Sequence, residues 1–94
     1  MKITVNKDAK TNTVNELFNR CVKAIMFNAD NGIDVTELFV PVDFAGDVRE
    51  RLEKEIEGID FLIVRRGVNP LTGRPCDYTG ETINGERRYK VRIR

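Results

Sequence analysis

The chain contains no histidine and no tryptophan. It has two cysteines and three prolines, and no apolar run near the ~20 residues that a membrane-crossing helix needs. Each scarcity excludes something. Without imidazole, the commonest general base and the commonest neutral metal ligand are both missing. Catalysis would fall to carboxylates, Tyr78, Tyr89, a lysine or a cysteine without an imidazole partner. No Walker-type loop and no Gly-x-Gly-x-x-Gly stretch is present to cradle a phosphate cofactor. An enzyme is therefore not expected, nor is a cofactor. Cys21 and Cys76 are too few for a disulfide framework, and two thiols completed only by carboxylates or water make a thin metal site. Neither a metal nor a membrane is expected as a partner. The opening stretch MKITVNKDAK lacks the apolar segment of a signal peptide, so the cytoplasm is the expected location.

What is present suits one compact domain over residues 1–94. The chain is 40% hydrophobic and 33% charged, enough apolar content for a single modest core. The formal net charge of +1 hides an asymmetry. Residues 1–64 carry 8 basic and 12 acidic side chains, whereas residues 65–94 carry 8 basic and 3 acidic ones. Binding surfaces must therefore be judged segment by segment.

The apolar spacing predicts the elements. Ile3 and Val5 suggest a short strand at residues 2–5. Thr13 and Glu16 match a capping box, and Val14, Leu17, Phe18, Cys21 and Ile25 recur at helical spacing until Asp30-Asn31-Gly32. Residues 33–45 have two readings. Asp34 to Glu37 can cap a short helix ending before Pro41, or Leu38, Val40 and Val42 can alternate along a strand. The agreement of two cap signals favours the helix. Asp43 can cap the next helix, whose stripe is Val48, Leu52 and Ile56. IDFLIVRR, residues 59–66, is apolar on both faces and reads as a central strand. A loop extending over 67–85 follows, and Asn84-Gly85 announces a type I′ hairpin into RRYKVRIR. These periodicities predict that Leu17, Phe18, Cys21, Ile25, Leu52, Ile56, Phe61, Ile63, Tyr89 and Val91 share one core.

The order of elements, with DVTELFVPVDFAGDVRERLEKEIEG followed by IDFLIVRRG and ERRYKVRIR, resembles a winged helix-turn-helix domain. The resemblance covers roughly residues 13–94 and implies an α+β fold, with a three-helix core and a C-terminal antiparallel hairpin as the wing. It implies DNA binding as well. The helix that would enter a major groove is acidic, so the wing and last strand are the better contact surface. The rival topology, with residues 36–42 as a strand, is a β-α-β-α-β-β two-layer sandwich.

Two surfaces stand out. In the last strand Arg88, Lys90, Arg92 and Arg94 alternate with Tyr89, Val91 and Ile93, which gives one basic face. Arg65, Arg66, Arg74 and Arg87 lie nearby in sequence. Together they are candidates for contacting the phosphates of DNA or RNA, with little base readout. The plainer explanation is that the row protects an exposed sheet edge. The second surface is the acidic helix, with Asp47, Glu50, Glu53 and Glu57. It could engage a basic cleft of a protein partner, as a small inhibitor or adaptor would. Its plainer explanation is a solvated face laced with i,i+4 ion pairs. Cys21 is expected to be a packing residue, and Cys76 sits beside Arg74 in the loop with no base in view.

Overall fold

The computed structural model describes the backbone of residues 5–93 and the side chains of residues 11–93. Helix α1 (Val5–Asp30) leads to strand β1 (Val35–Pro41) and helix α2 (Val42–Glu55). Five strands follow: β2 (Ile59–Leu62), β3 (Arg65–Val68), β4 (Pro75–Tyr78), β5 (Gly80–Ile83) and β6 (Glu86–Ile93). The fold is α+β. The described residues hold two helices rather than the expected three.

β6 is the centre of a four-stranded antiparallel sheet. β1 runs along one side of it, from Val35 opposite Arg92 to Pro41 opposite Glu86. On the other side β2 pairs with Leu62 opposite Lys90, and β5 pairs with Gly80 opposite Tyr89. The edge-protection explanation for the basic row therefore fails, because both sides of β6 are occupied. The expected central strand at 59–66 is also corrected. Its first four residues form β2, which lies beside β6 and not between strands, and Ile63 is 49% exposed.

Residues 33–45 take the strand reading up to Pro41. Burial in β1 alternates strictly, with Thr36, Leu38 and Val40 inward and Val35, Glu37 and Phe39 outward. A period of two with three β-branched residues fits a strand, and seven residues of β6 are there to pair with it. The local cap signals lose to that long-range pairing. The buried Thr36 hydroxyl accepts a bond from Asn28 Nδ2 of α1 at 3.1 Å.

α1 starts earlier than expected, at Val5, so Thr13 lies within the helix and does not cap it. Of the strand expected at residues 2–5, only Val5 lies within the described residues. α1 ends as expected. Gly32 has φ of +75°, its amide donates to Ala29 O, and Ile33 N donates to Asn28 O at 2.8 Å. These bonds satisfy carbonyls that the helix end would otherwise leave open. α2 follows Pro41 directly, with Asp43 in its first turn and not at its cap. The Val42 amide instead donates to the Gly85 carbonyl at 2.9 Å, which fastens the helix start to the β5–β6 turn. That turn has positive φ at both Asn84 (51°) and Gly85 (79°), as a type I′ hairpin requires.

Both helices pack on one face of the sheet. Phe18, Cys21 and Ile25 of α1 meet Ala45, Val48 and Leu52 of α2 over Leu38, Val40, Tyr89 and Val91. Leu17, Ile56 and Phe61 pack against this cluster, so Ile63 is the one member of the expected core that faces solvent. Arg51 of α2 covers the Phe18 ring at 4.2 Å and Arg49 covers Phe61 at 4.7 Å. Gly80 lies under the Tyr89 ring, where a Cβ would come within 2.8 Å of it.

Burial pushes the Cys21 thiol from 9.0 up to about 11. The thiol stays neutral in the fold but ionises in the unfolded chain above its ordinary pKa. Its contribution to stability is therefore intact below pH 9 and is lost as pH rises towards 11. Urea midpoints measured across that window should fall, and the fall should be shallower in a Cys21→Ala variant.

Candidate nucleic-acid interface

The register of the sheet decides what surrounds the basic row. Directly opposed residues share a face, so Arg88, Lys90 and Arg92 project from the open face, away from the helices. Glu37, Asp60, Glu81 and Glu86 project from the same face. Arg88 Nη2 bonds to Glu81 Oε2 at 3.0 Å, and Arg88 Nη1 lies 4.0 Å from Glu37 Oε1. Lys90 Nζ lies 3.9 Å from the same Glu37 oxygen. Arg92 is exposed and sits opposite Asp60. Among the described residues, three basic groups thus share the face with four carboxylates, which offset their charge. Exposed Phe39 and Ile83 lie among them.

Arg87 does not belong to this row. It lies opposite Val40 on the helix side of the sheet, and its Nε is buried without a hydrogen-bond partner. Its stem packs on Gly80, where an added Cβ would come within 2.9 Å of Arg87 Cδ. Its stem thus packs on the helix side of the sheet, and only the half-buried end of the guanidinium is left for phosphate contact. Arg94 lies outside the described residues.

The remaining three basic candidates are on a separate structure. Residues 67–85, expected as an extended loop, are mostly β-structure. β3 and β4 pair with each other alone, from Arg65 opposite Tyr78 to Val68 opposite Pro75. They form a two-stranded arm between β2 and β5. Its base is fixed by Val64 N donating to Tyr78 O at 2.9 Å, and by the Tyr78 ring lying over Gly67. Residues 69–74 close the tip. Asn69 N donates to Arg74 O at 2.8 Å, Gly73 N to Asn69 O at 2.7 Å and Leu71 N to Asn69 Oδ1 at 2.9 Å. Arg74 N reaches Thr72 Oγ1 at 3.3 Å, and Gly73 takes φ of +71°. An Asx turn after Asn69-Pro70 gives the tip a set shape without any core behind it.

The arm carries Arg65, Arg66 and Arg74 against one acidic residue, Asp77. Arg66 is 84% exposed and meets Asp77 at 3.4 Å, a solvent-screened pair. Arg65 and Arg74 are exposed and form no ion pair among the described residues. The three arginines were legible in the sequence, but not that a two-stranded ribbon carries them. The signal was there: Asn69-Pro70 and Gly73 are hairpin-tip residues.

The second candidate surface is the outer side of α2. Asp47 and Glu50 are exposed and Glu53 holds Arg49 Nε at 2.8 Å, whereas the exposed Glu57, expected on the helix, lies in the turn after it. Arg51 Nε holds Glu55 in the same way, and Arg51 also bonds to Asn15 of α1. Arg49 donates to Thr79 Oγ1 at 2.5 Å, where the chain passes from the arm to β5. Glu53 and Glu55 are thus tied to Arg49 and Arg51, while Glu50 stands in solvent.

Among the described residues, no group of three or more cysteine or carboxylate side chains is placed to hold a metal. No described helix is long and apolar enough to cross a membrane. No family model matches the chain, and comparisons with curated proteins and with solved structures return no match.

Proposed function

We propose that this domain binds double-stranded nucleic acid without catalysing a reaction, with the β3–β4 arm as the contacting element. One observation carries the reading. The arm holds three open arginines against a single carboxylate, while the basic groups of the sheet are matched by acids. Arg65, Arg66 and Arg74 neutralise phosphates and set the position of the arm on the duplex. Arg92, at the far end of β6, adds a weaker contact. Arg88 and Lys90 contribute less, because Glu37 and Glu81 would have to release them. The arm takes the part that the wing takes in winged-helix domains, and we place the domain in the cytoplasm, where nucleic acid is accessible to it.

A protein-binding role for Asp47, Glu50, Glu53 and Glu57 has less support, since Arg49, Arg51 and Lys54 are interspersed with these acids and Arg49 pairs with Glu53. Titrating a labelled duplex at several salt concentrations tests the proposal. Three phosphate contacts predict that log K falls against log salt with a slope of about −2.7. No measurable binding at about 50 mM salt would contradict it.

A further inference from the structure

The arm ends in a side chain that the fold does not use. Leu71 is 93% exposed, it follows Pro70, and Val68 just below it is 59% exposed. A lone exposed leucine is ordinary on a protein surface. This one differs in its placement, at the outermost turn of a ribbon that lacks a core and is stiffened by its own hydrogen bonds. The Leu71 amide is bound to Asn69 Oδ1, which holds the backbone of the turn from which the side chain projects. The only charged groups around it on the arm are the three arginines and Asp77.

Apolar side chains presented this way act on duplex DNA as wedges. Inserted between base pairs from the minor groove, they unstack one step and kink the helix away from the groove, while flanking cations hold the phosphates. We propose that Pro70 and Leu71 form such a wedge, and that the arm therefore bends the DNA it binds. This rests on the nucleic-acid reading above and adds a groove, a deformation and a preference for easily unstacked pyrimidine–purine steps. Arg65 and Arg66 lie on the strand leading to the tip and Arg74 on the return. Arg74 therefore lies in the tip turn beside the inserted residues, and Arg65 and Arg66 lie nearer the base, where they can reach phosphates further along the duplex. A duplex of RNA offers no equivalent site, because its minor groove is wide and shallow.

The test uses the full chain and a DNA duplex of about 25 base pairs with a central TA step, labelled with a donor and acceptor at its two ends. Anisotropy gives affinity, and energy transfer gives the bend. The native domain should raise transfer to a level corresponding to a bend of about 20–90°. Leu71→Ala should bind within about tenfold of the native affinity, since the phosphate contacts remain, but should lose most of the bend. Its thermal midpoint should match that of the native chain, because the side chain is exposed. An RNA duplex of the same sequence should bind without bending. The wedge is overturned if the native domain binds DNA without changing transfer, if Leu71→Ala bends it equally, or if RNA bends as much. In each of these cases phosphate binding by the arm would stand. Absence of binding by every protein would overturn both readings.

Discussion

Changing Arg65, Arg66 and Arg74 together to serine is expected to weaken duplex binding by roughly a hundredfold to a thousandfold at about 0.1 M salt. Each phosphate contact contributes about 0.9 to the slope of log K against log salt, so three lost contacts remove about 2.7. The fold should be nearly unaffected. These side chains are exposed, and the one ion pair among them, Arg66 with Asp77, is of a kind worth about 0–1 kcal/mol. The matching change of Arg88, Lys90 and Arg92 should cost less than about tenfold, because Glu37 and Glu81 already occupy Arg88 and Lys90. Anisotropy titrations of the two triple variants measure the difference. If the sheet variant loses binding and the arm variant keeps it, the contact surface has been placed on the wrong element.

The largest stability effect should come from Leu52→Ala. Leu52 is fully buried at the junction of α2 with the sheet, and removing its side chain leaves a cavity that its neighbours fill only in part. Such changes cost about 2–5 kcal/mol, against a total stability of about 5–15 kcal/mol for a domain. A fall in thermal midpoint of roughly 10–30 °C follows for a chain of this size. Calorimetry of the variant checks it, and a shift under about 3 °C would mean that Leu52 is not at the centre of the core.

The parts of the fold that were legible in the sequence are those set by local chemistry. The α1 stripe, the glycine end at Gly32 and the Asn84-Gly85 turn each follow from the needs of a few neighbouring residues. The alternation of Tyr89 and Val91 with charged residues also placed β6 correctly as a strand with one wet face. What local chemistry could not supply was the identity of the pairing partners. Residues 33–41 satisfy the cap rules of a helix and the alternation of a strand about equally, and the choice is made by β6, fifty residues away in the chain. The same pairing explains the misjudged charge of the last strand. Its basic row is continuous in sequence, but Glu37, Asp60 and Glu81 reach it only through the sheet register.

The candidate site shows the same division. Arg65, Arg66 and Arg74 are apparent as charges, yet nothing in their spacing separates them from Arg87. Arg87 turns inward because its strand position lies opposite Val40. In the arm, by contrast, few apolar residues compete for burial, so its arginines stay in solvent. The tip was legible as turn chemistry, through Asn69-Pro70 and Gly73, but its role as the end of a ribbon depends on Pro75 to Tyr78 pairing back on Arg65 to Val68.

Backbone amide shifts of the isotope-labelled domain, followed as a short DNA duplex is added, test the arm most directly. The account predicts that the largest changes fall between Arg65 and Tyr78, centred on residues 69–74, with smaller ones at Arg92 and almost none along α2. Changes concentrated instead between Asp43 and Glu57, or across Glu37, Arg88 and Lys90 with the arm unmoved, would contradict it.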